Sequence, residues 1–336
     1  MPSIGIVINP ESGRDIRRIV GKASFVTSYM KIDVIKRFLL GLDSTSSVDE
    51  VIFMPDFYGI SFDIINEIKD NVSFELSTID MKVENSANDT INAARYMVNS
   101  GIDMIVSAGG DGTLRAVYKG AGDKVPILGL SLGTNNVLGA SYEPTVLGIM
   151  LGLLVRNINP DVIDKTKTIK ILVNDEFRDL ALVDLTLVDG WYIGAKAIWD
   201  EYSLRYAFIS KGELGDIGIP SIASFIKPIG FQDDFGLMIE FGIGNRINAI
   251  LAPGLVKQVF IKEIKTLRVG QEISIPSGNY VVAFDGEKEM VVNSNDEIKI
   301  KIDRDGPFLI NVPRALSYIS SYYKKGGGEI EWVKKY

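Results

Sequence analysis

Apolar residues in the first half of the chain form short continuous runs, separated by stretches in which they recur with helical spacing. A short apolar run bounded by turn residues is typical of a buried parallel strand. The runs predict strands at 4–8, 50–54, 74–79, 103–107 and 125–131. The helical spacing predicts helices at 32–40 and 57–69, from the N-cap candidates 86–90 to Gly101, and from residue 114 onward. Alternating strands and helices predict a parallel α/β sheet.

After about residue 160 the pattern changes to short segments separated by turn residues. It predicts strands at 168–173, 179–188, 237–241, 272–275, 280–284, 290–292, 297–302 and 308–312. A chain of 336 residues also exceeds the usual size of one hydrophobic core. We therefore predict an α/β domain over 1–160 and a mainly β domain over 161–312, with 313–336 packing back on the first domain.

The sequence contains no histidine and no cysteine. This excludes a Ser-His-Asp triad, a Cys-His pair and a histidine general base. It also excludes disulfide bonds and removes the usual ligands of structural zinc. Any bound metal must therefore be held by oxygen ligands, which favours Mg²⁺.

The formal net charge of −7 argues against an extended interface with nucleic acid or with an anionic membrane. Phosphates can still be bound locally by backbone N–H groups and a few basic side chains. Residues 1–10 lack the basic flank and the long apolar core of a signal peptide. The apolar run 146–155 is too short to span a bilayer. We expect a cytoplasmic protein without a membrane partner.

The segment 109–113, Gly-Gly-Asp-Gly-Thr, lies between a predicted strand and a predicted helix. Its three glycines allow positive φ and close approach of a ligand to the backbone. The N-terminus of the following helix offers free N–H groups and the positive end of the helix dipole, which together favour phosphate. Asp111 in the middle of the loop could accept the proton of an attacking hydroxyl. The alternative is a tight turn whose aspartate caps the helix.

Four motifs, in the same order along the chain, resemble those of the NAD kinase/diacylglycerol kinase superfamily. They are Asn9-Pro10 with Gly13, the glycine loop 109–113, the loop 132–136 and the late motif Asp-Gly-Glu at 285–287. The loop 132–136 departs from the superfamily's Gly-Thr-Gly-Asn, because an asparagine replaces its second glycine. Segments 189–200 and 212–224 resemble the diverged ATP-NAD kinase-like branch.

This resemblance implies an α/β domain, a β-sandwich-like second domain and an active site in the cleft between them. It implies ATP or polyphosphate as donor, Mg²⁺, small nucleotide substrates and, in many members, a homo-oligomer. Asp111 would be the general base or would orient the acceptor hydroxyl. Phosphate and nucleotide contacts are implied for Asn9, Gly109, Gly110, Gly112, Thr113, Thr134, Asn135 and Asn136. Substrate or metal contacts are implied for Asp184, Asp285, Gly286 and Glu287.

The acceptor is the least determined part of this prediction. In NAD kinases an Asn-acid pair on a strand of the second domain contacts the adenine end of NAD; here Asp184 matches the acid, but Val183 replaces the asparagine. Asp184 could instead be an outward-facing strand residue. Trp191, Tyr192 and Trp199 either stack on a base or pack in a core or hinge.

Basic residues near the two loops are further candidates for phosphate contacts. Arg14, Arg17, Arg18 and Lys22 follow the first loop and otherwise form a solvated helix face. Arg115 and Lys119 lie one helical turn apart after the glycine loop.

The leading hypothesis is ATP-dependent phosphorylation of a nucleotide-like hydroxyl acceptor, with NAD as the best single candidate. The alternatives are a kinase for a lipid or another small alcohol, and a non-catalytic nucleotide-binding regulator. A Rossmann dehydrogenase and a Walker-type ATPase are disfavoured, because neither of their glycine motifs occurs in the required place.

Overall fold

The structure is a computed structural model that describes residues 2–13, 26–132, 136–194, 196, 198 and 200–324, without the side chains of 322–324. The first part of the chain contains strands β1 (Ser3–Ile8), β2 (Glu50–Phe53), β3 (Glu75–Thr78), β4 (Met104–Gly109), β5 (Ile127–Ser131) and β6 (Ile163–Lys165). Its helices are α1 (Ser28–Asp43), α2 (Ile60–Ile68), α3 (Ala87–Asn99), α4 (Asp111–Ala121) and α5 (Pro144–Val155). A short 3₁₀ turn, Pro160–Val162, precedes β6.

The second part contains strands β7 (Thr168–Val173), β8 (Glu176–Ala181), β9 (Asp184–Asp189), β10 (Leu204–Ile209), β11 (Phe235–Ala252), β12 (Leu255–Arg268), β13 (Glu272–Ile275), β14 (Tyr280–Phe284), β15 (Glu287–Val292), β16 (Ile298–Asp303) and β17 (Phe308–Ile310). Its helices are α6 (Pro220–Ile226) and α7 (Val312–Lys324). Among the described residues, no helix combines the length and apolar character needed to cross a membrane.

The first sheet has the order β3-β2-β1-β4-β5-β17-β6, and its first five strands are parallel. Every residue of β4 is buried, as expected for a central strand covered by helices on both faces. The chain returns to this sheet near its end, where β17 pairs parallel with β5 and antiparallel with β6. The predicted α/β class with a parallel sheet is confirmed.

The second part forms two sheets, with the orders β12-β11-β10-β9-β14-β15 and β13-β16-β7-β8. All pairings in both sheets are antiparallel. A common core contains Ile171 and Ile300 from the smaller sheet and Leu187, Phe208 and Val282 from the larger one. The predicted mainly β, sandwich-like second domain is therefore confirmed.

Helix α7 places Ala315 in the core of the first sheet, together with α5 and the 3₁₀ turn. Leu316 and Ile319 pack against the same core. The C-terminal helix therefore belongs spatially with the α/β half, although it follows the β sheets in sequence.

Several predicted elements differ from the observed ones. The strand predicted at 179–188 is wrong, because the chain breaks at Leu182 and Val183 and passes from the smaller sheet (β8) to the larger (β9). The carboxylate of Asp285 accepts hydrogen bonds from the N–H groups of both residues, which are thereby removed from strand pairing. The long hairpin β11–β12 was predicted only at 237–241, and α5, β6, β10 and α6 were not predicted.

Candidate active site

A cavity of about 800 Å³ lies where the two parts of the chain meet. The α/β half contributes the loop after β1 and the N-terminal ends of α2, α3 and α4. The β half contributes the connection after β9 and the turn between β14 and β15. Parallel α/β sheets bind ligands beyond the carboxyl ends of their strands, which is where this cavity lies.

The glycine loop forms the N-terminus of α4. Gly110 is the N-cap in an extended conformation, and its carbonyl accepts hydrogen bonds from the N–H groups of Thr113 (3.0 Å) and Leu114 (3.1 Å). The N–H groups of Asp111 and Gly112 precede these first helical bonds and are available to a ligand. An anion at this position would also meet the positive end of the α4 dipole.

Close packing, rather than positive φ, explains two of the three glycines of this loop. None of them has positive φ, so that part of the prediction is wrong. A Cβ atom on Gly109 would lie 2.4 Å from Thr113 Oγ1, and one on Gly110 would lie 3.0 Å from Asn136 Oδ1. A Cβ on Gly112 would meet no described atom within 4 Å, although Gly112 lines the cavity. Gly112 is thus the position at which the helix backbone is open to a ligand.

Asp111, the first residue of α4, is buried, and its carboxylate binds the backbone that follows the second loop. Its Oδ2 accepts a hydrogen bond from Val137 N (2.8 Å), and its Oδ1 accepts one from Leu138 N (3.0 Å). Burial raises the pKa of Asp111 to about 7, although these two hydrogen bonds oppose the rise. The neighbouring carboxylates of Asp285 and Asp216 add to it. A carboxylate has further lone pairs, so Asp111 can still accept a proton from a ligand.

The first loop is tied to the glycine loop by Asn9. The Asn9 side-chain amide donates to Thr113 Oγ1 (2.9 Å), and its carbonyl oxygen accepts from Glu11 N (2.9 Å). The buried ammonium of Lys31 donates to the backbone carbonyls of Asn9 and Pro10. Asn9 therefore positions the glycine loop and the edge of the cavity.

Only the two end residues of the second loop, Leu132 and Asn136, are described. Thr134 and Asn135 lie outside the described residues. The Asn136 side-chain amide donates to Ser131 Oγ (2.6 Å) and to the Gly109 carbonyl (3.3 Å). Asn136 thus joins the ends of β4 and β5 and lines the cavity beside Gly110.

The turn Asp285-Gly286 joins β14 to β15, and both residues have positive φ (50° and 82°). Such a two-residue turn matches the twist of a hairpin. The fully buried Asp285 carboxylate accepts hydrogen bonds from Val183 N (2.8 Å) and Leu182 N (3.0 Å) and lies 3.7 Å from Arg115 Nε. Burial raises its pKa, and Arg115 and the amides offset part of this rise. Asp285 therefore fastens the β half to α4.

Arg115 and Lys119 are both engaged within the protein. Arg115 forms an ion pair with Glu289 on β15, donates to the Leu180 carbonyl and lies over the ring of Phe284. Lys119 forms an ion pair with Asp179 (2.6 Å). Both line the cavity, but their charges hold the two halves of the chain together.

Sequence comparisons place this architecture among known proteins. Residues 57–157, which include the glycine loop, match the ATP-NAD kinase N-terminal domain. Residues 167–305 match the acetoin catabolism protein X C-terminal domain. Acetoin catabolism protein X of Cupriavidus necator is 33% identical over 316 residues, covering 90% of this chain and 88% of the relative. The chain belongs to the acetoin catabolism protein X family.

The acetoin catabolism protein X family is NAD kinase-like, so the predicted membership of the NAD kinase/diacylglycerol kinase superfamily is confirmed. The two matched regions contain three of the four motifs that carried the resemblance; Asn9-Pro10 with Gly13 lies outside both. They support a kinase-like fold with a nucleotide-binding half.

Two residues on the predicted acceptor side, Val183 and Asp184, are buried away from the cavity. Asp184 is buried, so its alternative interpretation as an outward-facing residue is wrong; its Oδ2 accepts from Thr186 Oγ1 (3.0 Å). Val183 is buried with its side chain in the core that contacts α3 and α4. Neither Asp184 nor Val183 lines the cavity.

Trp191 and Tyr192 lie on the surface, with 73% and 79% of their area exposed. The interpretation that they pack in a core is therefore wrong. Trp199 and the basic residues Arg14, Arg17, Arg18 and Lys22 lie outside the described residues.

Glu287 lines the cavity at the start of β15, and no described residue forms a hydrogen bond or an ion pair with its carboxylate. Among the described residues there is no group of three or more acidic side chains that could hold a metal. Mg²⁺ bound together with nucleotide phosphates requires only one or two carboxylates. Glu287 fits that more limited role.

Sequence reasoning missed two lysines of the cavity wall. Lys196 lies in the connection after β9, and Lys288 is the second residue of β15. Lys196 lies within the segment 189–200 and Lys288 directly follows the Asp-Gly-Glu motif, but neither stretch singles out its lysine, and only the fold shows that the two lysines line the same cavity.

Proposed function

We propose that this protein transfers a phosphoryl group from MgATP to a hydroxyl acceptor bound in the cavity. The observation that carries the proposal is the N-terminus of α4, which is open at Gly112 and has a carboxyl group of pKa about 7 beside it. The net charge of −7 argues against nucleic acid or an anionic membrane as a partner, and the proposal therefore takes small nucleotides in the cytoplasm as the substrates.

In the proposed mechanism, the N–H groups of Asp111 and Gly112 bind donor phosphate, and the α4 dipole stabilises its negative charge. The acceptor oxygen attacks the γ-phosphorus, the bond to the bridging oxygen of ADP breaks, and the acceptor proton passes to Asp111. Glu287 would bind the Mg²⁺ that arrives with ATP, and this ion would neutralise charge on the phosphates. Polyphosphate would occupy the same loop as an alternative donor.

NAD is the first candidate acceptor, because the N-terminal half matches the ATP-NAD kinase domain. A small alcohol is the second candidate. Val183 favours this second candidate, because it is buried and replaces the asparagine whose side-chain amide would contact the adenine ring of NAD. The name of the Cupriavidus relative refers to catabolism of acetoin, which is itself a small hydroxyketone.

The proposal is tested by incubating the purified protein with MgATP and NAD and following NADP with an NADP-dependent dehydrogenase. Parallel reactions contain acetoin, glycerol or diacylglycerol vesicles, and ADP release is measured. Acceptor-dependent ADP release supports a kinase and identifies its acceptor class. ATP binding without any acceptor-dependent turnover would instead support the non-catalytic regulator.

Gly112→Ala is expected to leave the fold intact and to weaken ATP binding. The added methyl group meets no described atom within 4 Å, but it occupies the space through which phosphate reaches the helix N-terminus. We expect the KM for ATP to rise roughly tenfold or more, the effect of losing about 1.4 kcal/mol of binding. The melting temperature should stay unchanged or rise, because alanine favours the helix.

Gly109→Ala is the matched comparison. Its methyl group would lie 2.4 Å from Thr113 Oγ1, so this variant should lose stability. An unchanged KM for ATP in Gly112→Ala would place the donor phosphates elsewhere.

Activity is expected to depend on the ionisation of Asp111. A general base must be deprotonated, and burial raises the pKa of Asp111 to about 7. Accordingly, kcat should fall about tenfold for each pH unit below 7 and level off above it. A profile that stays flat down to pH 5 would contradict this role.

Folding stability provides an independent check on the same group. The folded pKa of Asp111 lies above the ordinary value of 3.8, so the folded protein binds the proton more tightly than the unfolded chain. The stability linked to this proton is complete below pH 3.8 and is lost as the pH rises through about 7. Urea unfolding at pH 5 and pH 8 should show this loss in the wild type and a smaller one in Asp111→Asn.

A further inference from the structure

Two lysines from neighbouring segments of the β half line the cavity. Lys196 follows β9, and Lys288 lies at the start of β15. The backbone N–H of Lys288 donates to the carbonyl oxygen of Lys196 at 2.7 Å, which fixes the two segments side by side. Two ammonium groups are thereby attached to one wall of the cavity.

These two lysines differ from the other cations of the described cavity wall. Arg115 and Lys119 are paired with carboxylates. No described residue forms an ion pair or a hydrogen bond with the ammonium of Lys196 or Lys288; Asp200 only attracts Lys288 from a greater distance. Burial lowers the pKa of Lys288, so an anion that approaches its ammonium offsets part of the cost of burying that charge.

The lysine-bearing wall is close to the first turn of α4. The ion pair between Arg115 and Glu289 joins α4 to β15, one residue after Lys288. Arg115 lies three residues after Gly112, so the open helix N-terminus and the lysines belong to one continuous cavity. A ligand whose reacting end lies at Gly112 can therefore extend toward the β half.

We propose that Lys196 and Lys288 bind an anionic group of the acceptor, either a phosphate or a carboxylate. The inference rests on the proposed phosphoryl transfer, and it restricts the acceptors to hydroxyl compounds that carry their own negative charge. Two adjacent ammonium groups form charge-assisted hydrogen bonds with such oxygens. Of the three carboxylates beside them on the turn and strand 285–289, Asp285 and Glu289 are paired with Arg115, which leaves Glu287 as the opposing charge on this wall. NAD, a phosphorylated polyol or a hydroxy acid meets this requirement, whereas a neutral alcohol does not.

The test uses pyrophosphate and malonate as probes, titrated calorimetrically into protein saturated with Mg²⁺ and a non-hydrolysable ATP analogue. The analogue occupies the glycine loop, so that a probe reports on the second anion site. In Lys196→Met/Lys288→Met we expect at least one probe to bind roughly tenfold more weakly, while the analogue binds within about twofold of wild type. The probe that responds distinguishes phosphate from carboxylate recognition.

Lys124→Met is the matched control, because Lys124 is exposed and does not line the cavity. Equal probe affinities in the wild type and the double variant, or no probe binding to the wild type, would overturn the inference while leaving phosphoryl transfer intact. Failure of the ATP analogue to bind would overturn the proposed donor site instead. Lysine-dependent binding of a probe would still stand in that case.

Discussion

Asp111→Asn is expected to lower kcat by about a hundredfold or more, the usual contribution of a positioned general base. The asparagine side chain has nearly the same shape, but it cannot take the acceptor proton. In the wild type the N–H groups of Val137 and Leu138 each donate to a different carboxylate oxygen of Asp111, whereas asparagine offers them only one carbonyl oxygen. The assay is acceptor-dependent ADP release at pH 8, with folding checked by circular dichroism.

Asp56→Asn is the control for Asp111→Asn. Asp56 also lines the cavity and accepts backbone hydrogen bonds, from Tyr58, Ile60 and Ser61 at the start of α2. It has no place in the proposed chemistry, so kcat should change by no more than a few-fold. If kcat falls by a similar factor in both variants, Asp111 only caps the helix, as in the alternative interpretation of the glycine loop.

Asp285→Ala is expected to destabilise the protein by about 3–5 kcal/mol, as found when one partner of a buried ion pair is removed. The change leaves the amides of Leu182 and Val183 without their acceptor and removes one of the two carboxylates beside Arg115. Glu289 continues to neutralise Arg115, which favours the lower end of this range. Urea unfolding, analysed by linear extrapolation, measures the change.

Two further variants distinguish the contacts of Asp285 with Leu182, Val183 and Arg115 from an ordinary surface ion pair. Asp285→Asn retains one acceptor oxygen, so its loss of stability should be smaller than that of Asp285→Ala. Asp123→Ala removes a surface pair with Lys165 in which the Asp123 side chain is 60% exposed, and should cost less than about 1 kcal/mol. If the free energy of unfolding of Asp285→Ala lies within about 1 kcal/mol of the wild-type value, Asp285 does not hold the two halves together.

The α/β half was predictable because its signals are local. The central strands β1, β4 and β5 contain continuous apolar runs, and Ser86, within the predicted capping segment, is the N-cap of α3. The glycine loop was recognisable for the same reason, since the strand, the loop and the helix N-terminus are consecutive in sequence. Asp111 could therefore be placed at a phosphate site before its burial was known.

The acceptor side was not predictable, because its contacts join distant parts of the chain. Asp285 bonds to residues about a hundred positions earlier and breaks what otherwise resembles one continuous strand. Lys196 and Lys288 come together where a backbone hydrogen bond joins the connection after β9 to strand β15. Neither arrangement follows from spacing or residue type.

Two turns carried a sequence signal that was not used. Asp285-Gly286 and Asn174-Asp175 each join adjacent antiparallel strands and have positive φ at both positions. Asp-Gly and similar pairs between apolar segments are the strongest short-range indication of a two-residue hairpin. Recognising the first would have placed the Asp-Gly-Glu motif at the tip of a hairpin.

The most direct test of the account follows a radiolabelled γ-phosphate from MgATP in the presence of NAD, in wild type and in Asp111→Asn. The account predicts transfer of label to the acceptor by the wild type and at least about a hundredfold slower transfer by the variant. If NAD is not labelled, the same measurement is made with the small hydroxyl compounds, charged and neutral. Absence of labelled product from all of them would contradict the assignment of this cavity to phosphoryl transfer.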